Sequence, residues 1–196
     1  SPGAVYNFVS WDANSTAGVY PDKMSIRCTS TVDPTLAATV AGTYTGTTSS
    51  AATSFGANGE GINGQSQPLG ISVLNTSGAN AACSYDGTNP GYISAIDVGP
   101  FDTTGKTGLR FYFEAAQISD QTREFGLRLQ YSTDGTNFTD FLPGPVEFNS
   151  VTAGTSTAYT VFGPTAISQI DNQPTAYLRW RYYSISGAAG NRTRIA

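Results

Sequence analysis

The chain has 196 residues, no histidine, two cysteines and a formal net charge of −4 at neutral pH. The absence of histidine excludes Ser-His-Asp and Cys-His nucleophiles, and with them most zinc and haem sites, because all of these use an imidazole. A metal site would have to be built from oxygen ligands, which favours Ca²⁺. Nucleic-acid binding depends on clustered Lys and Arg that neutralise phosphates, so the acidic balance argues against a nucleic-acid partner.

Composition and cysteine content predict a secreted protein. Ser and Thr account for 46 residues, and no apolar run approaches the roughly 18 to 20 residues that span a bilayer, so we expect no membrane insertion. The sequence starts Ser1-Pro2-Gly3 without a leader, as a processed secreted protein or a shortened chain would. The even pair Cys28 and Cys83 predicts one disulfide in an oxidising compartment, the alternative being two buried thiols.

The first half of the chain predicts weak strands and one long insertion. Short alternating stretches that favour strands occur at 4-11, 24-31, 69-75 and 91-98. Residues 37-66 are nearly all Ala, Gly, Ser, Thr and Asn with one charged residue, Glu60, so this segment cannot bury much apolar area. We expect a low-complexity surface insertion there, either flexible decoration or a binding or packing loop.

The second half of the chain carries the clearest strand patterns. Residues 109-115 place Leu, Phe, Phe and Ala on one face and Arg, Tyr and Glu on the other, and residues 124-131 and 176-184 alternate in the same way. The pair Asp134-Gly135 after the second of these runs is a strong hairpin signal. Weaker strands are expected at 146-151, 157-162 and 192-196.

These patterns predict an all-β fold. About ten short strands are separated by clusters of Gly, Pro, Asn and Asp, and no window of 11 or more residues has a clean helical apolar stripe. Such a chain forms a two-sheet antiparallel β-sandwich, jelly-roll-like in topology. A single domain spanning residues 1-196 is expected at this length.

The faces opposite the apolar ones carry a set of arginines and tyrosines that would form a ligand-binding face if the strong strands share a sheet. With one glutamine, the candidate contact residues are Tyr112, Arg128, Gln130, Tyr177, Arg179, Arg181 and Tyr183. Tyrosine rings offer flat platforms to sugars, and the Arg and Gln side chains donate hydrogen bonds. The alternatives are a solvated face with cross-strand ion pairs and a face buried against a neighbouring subunit.

Metal and catalytic signals are weaker. Asp12, Asp97 and Asp171 are candidate Ca²⁺ ligands, but they lack EF-hand spacing and suit turn or cap positions equally well. Glycoside hydrolysis needs two carboxylates, one of them a proton donor. Glu114 and Glu124 lie among arginines, which disfavour the protonated form of a neighbouring carboxyl. We therefore expect no enzymatic activity, with a glycosidase as a distant alternative.

One succession of motifs resembles a known kind of module. It consists of Gly108-Leu109-Arg110-Phe111-Tyr112-Phe113, then Leu127-Arg128-Leu129-Gln130-Tyr131-Ser132-Thr133-Asp134-Gly135-Thr136, then Tyr177-Leu178-Arg179-Trp180-Arg181-Tyr182-Tyr183, then Arg194-Ile195-Ala196. Over residues 91-196 it resembles jelly-roll modules of secreted bacterial surface proteins and, more distantly, MAM and concanavalin-like lectin sandwiches. The resemblance implies a fold more than a function, because such modules accompany nucleases, glycosidases and adhesins.

The resemblance also bears on the end of the chain. In the similar modules, the strand reached at Arg194-Ile195-Ala196 continues into an acidic segment that completes the sheet and can help hold Ca²⁺, whereas this sequence stops before that segment. An incomplete sheet exposes an unpaired edge, which more chain or a partner strand can cover.

Taken together, the sequence predicts a non-catalytic recognition or adhesion module at a cell surface. Its expected partner is a glycan or a cell-surface polysaccharide. The alternative is a self-assembling subunit of an extracellular filament or surface layer, whose partners are copies of itself and whose contacts could include strand complementation.

Overall fold

The computed structural model describes ten parts of the chain. They are residues 6, 22–29, 46–47, 62–66, 69–73, 83–84, 90–116, 125–141, 147–149 and 158–184. The side chains are described at residues 6, 22–25, 95–116, 127–141 and 158–181.

Within these residues the chain forms twelve strands and one short 3-10 helix, Ser168–Ile170. The strands are β1 (Met24–Thr29), β2 (Gly46–Thr47), β3 (Ile62–Ser66), β4 (Leu69–Val73), β5 (Cys83–Ser84), β6 (Pro90–Phe101), β7 (Arg110–Ala115), β8 (Phe125–Ser132), β9 (Thr139–Asp140), β10 (Glu147–Asn149), β11 (Thr160–Ala166) and β12 (Ala176–Ser184). The all-β prediction is therefore confirmed. No helix among the described residues has the length and apolar character needed to cross a membrane.

The strands form one large antiparallel sheet and two strand pairs. The large sheet has eight strands in the order β1-β2-β5-β6-β12-β8-β10, with β9 also paired to β8 and β1 also paired to β6. β12 lies between β6 and β8 and is hydrogen-bonded to both. The remaining strands pair antiparallel as β7 with β11 and β3 with β4.

The three strongest sequence patterns became strands within one residue of their predicted bounds. On β7, Arg110, Tyr112 and Glu114 are exposed, whereas Phe111 and Ala115 are buried, which confirms the predicted alternation. The hairpin expected at Asp134-Gly135 is also present, because β8 and β9 pair antiparallel on either side of it.

Other predictions were met in part or fall outside the described residues. Of the segment 37-66, the structure describes β2, which joins the large sheet between β1 and β5, and β3, which pairs with β4. Apart from Tyr6, the predicted strand at 4-11 lies outside the described residues, and so does the one at 192-196.

The apolar core lies where the β7–β11 pair meets the large sheet. Phe113 of β7 makes an edge-on contact with Trp180 of β12, with ring centroids 5.7 Å apart. Phe111 does the same with Phe141, at 5.2 Å. The buried cluster comprises Val98, Phe101, Phe111, Leu129, Phe141, Ile167, Ile170, Ala176 and Leu178. Burial of these aromatic and aliphatic side chains is the main driving force that holds the β7–β11 pair against the large sheet.

Two loops at one end of the core are joined by a buried threonine. The Thr103 hydroxyl donates a hydrogen bond to the Ile170 carbonyl at 2.6 Å and accepts one from the Gln173 backbone N–H at 2.9 Å. The Thr103 backbone N–H donates to the Gln173 carbonyl at 2.8 Å. These bonds connect the chain between β6 and β7 to the chain between β11 and β12.

Replacing Thr103 with Val should destabilise the protein by about 1 to 3 kcal/mol, because the near-isosteric side chain removes the buried hydrogen bond to the Ile170 carbonyl and the acceptor of the Gln173 backbone N–H. Chemical denaturation of the wild type and the variant measures this difference. Thr107→Val is the matched control at an exposed position of the same loop and should change the free energy of unfolding by less than about 0.5 kcal/mol. Equal stability of the two variants would contradict a structural role for the Thr103 hydroxyl.

Candidate functional site

A row of polar residues crosses the four strands β6, β12, β8 and β9. Arg179 on β12 lies opposite Asp97 on β6 and, on its other side, opposite Gln130 on β8. Gln130 in turn lies opposite Asp140 on β9. We call Asp97, Arg179, Gln130 and Asp140 the polar row. Directly opposed residues on neighbouring strands have side chains close enough to interact, so the register brings these four groups together.

The centre of the polar row is a buried ion pair. Arg179 Nε donates to Asp97 Oδ1 at 2.6 Å, and Arg179 Nη2 donates to Asp97 Oδ2 at 2.9 Å. The side chain of Arg179 is only 7% exposed and that of Asp97 only 1%. The ring of Phe138 lies against the guanidinium, 3.5 Å from its central carbon to the ring centroid. A two-bond Arg–carboxylate pair stacked on an aromatic ring is among the strongest polar arrangements in proteins.

The outer end of the polar row is held by Asp140. Its Oδ1 accepts a hydrogen bond from Gln130 Nε2, and its Oδ2 accepts one from Arg128 Nη1, both at 3.0 Å. Because β9 follows the turn after β8, the hairpin itself delivers Asp140 to these two donors.

The turn between β8 and β9 is organised by Asp134. Its Oδ1 accepts hydrogen bonds from the backbone N–H groups of Thr136 and Asn137 at 2.8 and 2.7 Å, and its Oδ2 accepts one from Asn137 Nδ2 at 2.7 Å. These bonds, led by the one from the Asn137 side chain, hold the pKa of Asp134 well below its usual range. The turn leads directly into Phe138, which covers Arg179.

The structure therefore separates the residues of the predicted ligand-binding face into buried and exposed groups. Arg179, Arg181 and Gln130 are buried, with 6%, 1% and 3% of their surface exposed. Arg128, with 12% of its side chain exposed, is bonded to Asp140. The alternation places these side chains on the non-core face as expected, but other parts of the chain cover that face.

The tyrosines of the predicted ligand-binding face differ in position and in exposure. The ring of Tyr177 lies against Gly99 and Gly135, where an added Cβ atom would come within 2.6 and 2.8 Å of it. The side chain of Tyr183 lies outside the described residues. Tyr112 belongs to the other sheet and is 64% exposed. The structure thus does not bring Tyr112 together with Arg128, Gln130, Arg179 and Arg181.

The outward face of the β7–β11 pair carries several exposed side chains. Tyr112 and Val161 are the two large apolar side chains exposed there, at 64% and 54%. Val161 lies opposite Glu114, and the exposed Arg110 lies two residues from Tyr112 on β7. Just before β11, burial raises the pKa of Tyr159, and the charge of Glu114 adds to that effect.

The two described Ca²⁺ candidates both have protein donors on their oxygens. Asp97 is bonded through both oxygens to Arg179. Asp171 accepts the backbone N–H groups of Gly108 and Leu109 at 2.9 and 3.1 Å and so holds the start of β7. Asp12 lies outside the described residues. In the described parts of the chain, no group of three or more acidic or cysteine side chains could hold a metal ion.

The side chains of Cys28 and Cys83 lie outside the described residues. Their backbones are placed by β6, because Cys28 pairs opposite Ile93 and Cys83 pairs opposite Gly91. β2 pairs with both cysteine-bearing strands. The disulfide stays a prediction, and this backbone register supports it.

Comparison with protein-family models, with curated proteins and with solved structures found no match. The resemblance to jelly-roll and lectin-like modules stays a prediction.

Replacing Arg179 with Met should destabilise the protein by about 3 to 5 kcal/mol, because it leaves the Asp97 carboxylate buried without its cation. The double variant Asp97→Leu/Arg179→Met should recover much of that loss, since an apolar pair needs no compensating charge. Urea unfolding of both variants measures the difference. Arg110→Met is the control at an exposed position, and a loss at Arg179 no larger than at Arg110 would contradict the buried ion pair.

Acid should weaken the turn that Asp134 organises. Because the folded pKa of Asp134 lies below its unfolded value, the unfolded chain takes up the proton first, and this contribution to stability is lost as the pH falls below about 4. We therefore expect the stability advantage of wild type over Asp134→Ala to be constant above about pH 5 and to shrink below pH 4. Unfolding at several pH values measures it. Thr133→Ala should follow the wild-type profile, and a pH-independent advantage over Asp134→Ala would refute the assignment.

Proposed function

We propose that this chain is a non-catalytic extracellular recognition module that binds carbohydrate through the outward face of the β7–β11 pair. The observation that carries the proposal is Tyr112, an aromatic side chain 64% exposed at the middle of a strand whose other face lies in the core. With Val161, which lies opposite Glu114 on the neighbouring strand, Tyr112 makes an exposed apolar patch on this face. Such exposed patches on soluble proteins are typical of binding sites.

The chemistry around Tyr112 suits a sugar. A tyrosine ring offers a flat apolar face to the C–H groups of a pyranose, and its hydroxyl supplies a polar edge. Arg110 and Glu114, two residues before and after it on the same face, add hydrogen-bond donors and acceptors for sugar hydroxyls. The platform is supported from below, since Phe111 and Phe113 on the opposite face contact Phe141 and Trp180.

The fold proposed for this module is a two-sheet jelly-roll sandwich, residues 1-196, with a disulfide between Cys28 and Cys83. The shared core between the β7–β11 pair and the large sheet supports the sandwich. The register of β1 and β5 along β6 supports the disulfide. A disulfide, together with the Ser- and Thr-rich composition, would place the protein outside the cytosol, at the cell surface or free in the medium.

A second candidate function is self-assembly into a filament or surface layer. Among the residues that the structure describes, β7 and β11 pair only with each other, so each has one edge without a described neighbour. A strand from another copy could add to such an edge by backbone hydrogen bonding. This alternative would use copies of the chain as the partner and would bury the same tyrosine.

The Tyr112→Ala variant tests the carbohydrate proposal. Loss of a central aromatic contact should weaken binding about thirtyfold or more, because such residues are worth about 2 kcal/mol or more in binding sites. The melting temperature should stay within a few degrees, since Tyr112 is exposed. Affinity electrophoresis in gels containing polysaccharides, with a glycan array, measures binding. Tyr112→Trp should retain it, because the platform remains.

Three controls separate the alternatives. Lys106→Ala, at an exposed loop position away from β7 and β11, should bind as the wild type does. Light scattering should show monomers, whereas polymers lost in Tyr112→Ala would favour self-assembly. Release of reducing sugar, abolished by Glu114→Gln, would instead show a glycosidase. Wild-type binding that is unchanged in Tyr112→Ala would contradict the assignment of the site.

A further inference from the structure

The residues exposed beside Tyr112 continue as a stripe across to β11. Val161 on β11 lies opposite Glu114 on β7, and Thr160 lies opposite Ala115. Tyr159 immediately precedes β11, and continuing that register by one pair places it opposite Ala116, which is fully buried. Because side chains two apart on a strand share a face, Tyr112, Glu114 and Val161 form the exposed part of one outward stripe, and the half-buried Tyr159 stands at its end.

The two tyrosines stand at opposite ends of this stripe. They are four residue positions apart along the strands and one strand apart across them. With a rise of about 3.4 Å per residue and a strand spacing of about 4.8 Å, their Cα atoms are separated by roughly 14 Å. Tyr159 is half-buried. The charge of Glu114 contributes to the raised pKa of Tyr159, which is consistent with both groups facing the same side.

The charges on the stripe favour an uncharged ligand. Arg110 supplies one positive charge and Glu114 one negative charge, so the exposed face of β7 has no net charge. The whole chain carries −4, which would repel a polyanion over distances of about a Debye length. Val161, which lies opposite Glu114 and is 54% exposed, gives the middle of the stripe one exposed apolar side chain.

We infer, on the basis of the function proposed above, that the stripe binds an extended, uncharged glycan. This glycan lies over Val161 and reaches from Tyr112 to Tyr159. The distance of roughly 14 Å between the Cα atoms of the two tyrosines is longer than a disaccharide. One longer ligand would therefore contact both aromatic rings. Two linked contacts bind more tightly than either alone, because the second forms within the complex already made by the first.

The experiment compares ligand charge and ligand length. The neutral probes are affinity gels that contain xylan, mannan, soluble starch or uncharged cellulose derivatives. The anionic probes are gels that contain polygalacturonate or alginate. For a neutral polymer that retards the protein, isothermal titration then compares its disaccharide with its hexasaccharide. The variants are Tyr159→Ala and Tyr112→Ala, with Tyr159→Phe as the control that keeps the ring.

We expect a neutral polymer to retard the protein more than either polyanion, and the hexasaccharide to bind at least about tenfold more tightly than the disaccharide. Tyr159→Ala should remove most of that difference, whereas Tyr159→Phe should preserve it. The length comparison in the wild type remains decisive even where Tyr159→Ala fails to fold.

The failures of the two proposals are distinguishable. Binding that is lost in Tyr112→Ala but is insensitive to ligand length, or that prefers the polyanions, would overturn this inference and leave the proposed function standing. The same holds for full binding by a folded Tyr159→Ala variant. A wild-type protein that binds none of the neutral or anionic polymers would overturn the proposed function and this inference together.

Discussion

The buried ion pair between Arg179 and Asp97 is the constraint on which the large sheet depends. It joins β12 to β6 at a point where both side chains are almost free of solvent. Burying either charge alone would cost several kcal/mol, so only the register that pairs them is compatible with the folded state. A one-residue slip of β12 would bring Arg179 to the apolar face. Asp97 would then be buried without its arginine partner. The register of the neighbouring strands follows, because Gln130 pairs opposite Arg179.

The same pair helps to determine which surfaces of the sheets stay exposed. On one face of the large sheet, Leu178 and Leu129 pack into the core, and on the other, Arg179 lies beneath Phe138. The central strands are therefore covered on both faces where their side chains are described. The β7–β11 pair differs, because its inner face packs against the core while its outer face is open at Tyr112.

The sequence could predict the strong strands but only part of the candidate site. Two-residue alternation identifies β7, β8 and β12 and the exposure of Tyr112, because that information is local. It also assigns Arg179 to the face opposite Leu178, yet alternation does not say what covers a face. The cover is Phe138, carried by the turn after β8, and the partner is Asp97, 82 residues away in sequence. A lone acid within the apolar run Ile96-Asp97-Val98 is the signal that could have indicated a buried cation.

The separation of the buried pair from the exposed Tyr112 bears on how the proposed function can be tested. A binding surface gains affinity when its side chains need no ordering on binding, and the backbone beneath Tyr112 is fixed by the contacts of Phe111 and Phe113 with the core. Because Tyr112 contributes little to that core, we expect its replacement to affect the proposed recognition without unfolding the sheet, whereas replacement of Arg179 should act on folding. Loss of binding on its own therefore does not identify a contact residue in this protein. A variant locates the binding site only when its binding is lost and its stability is retained.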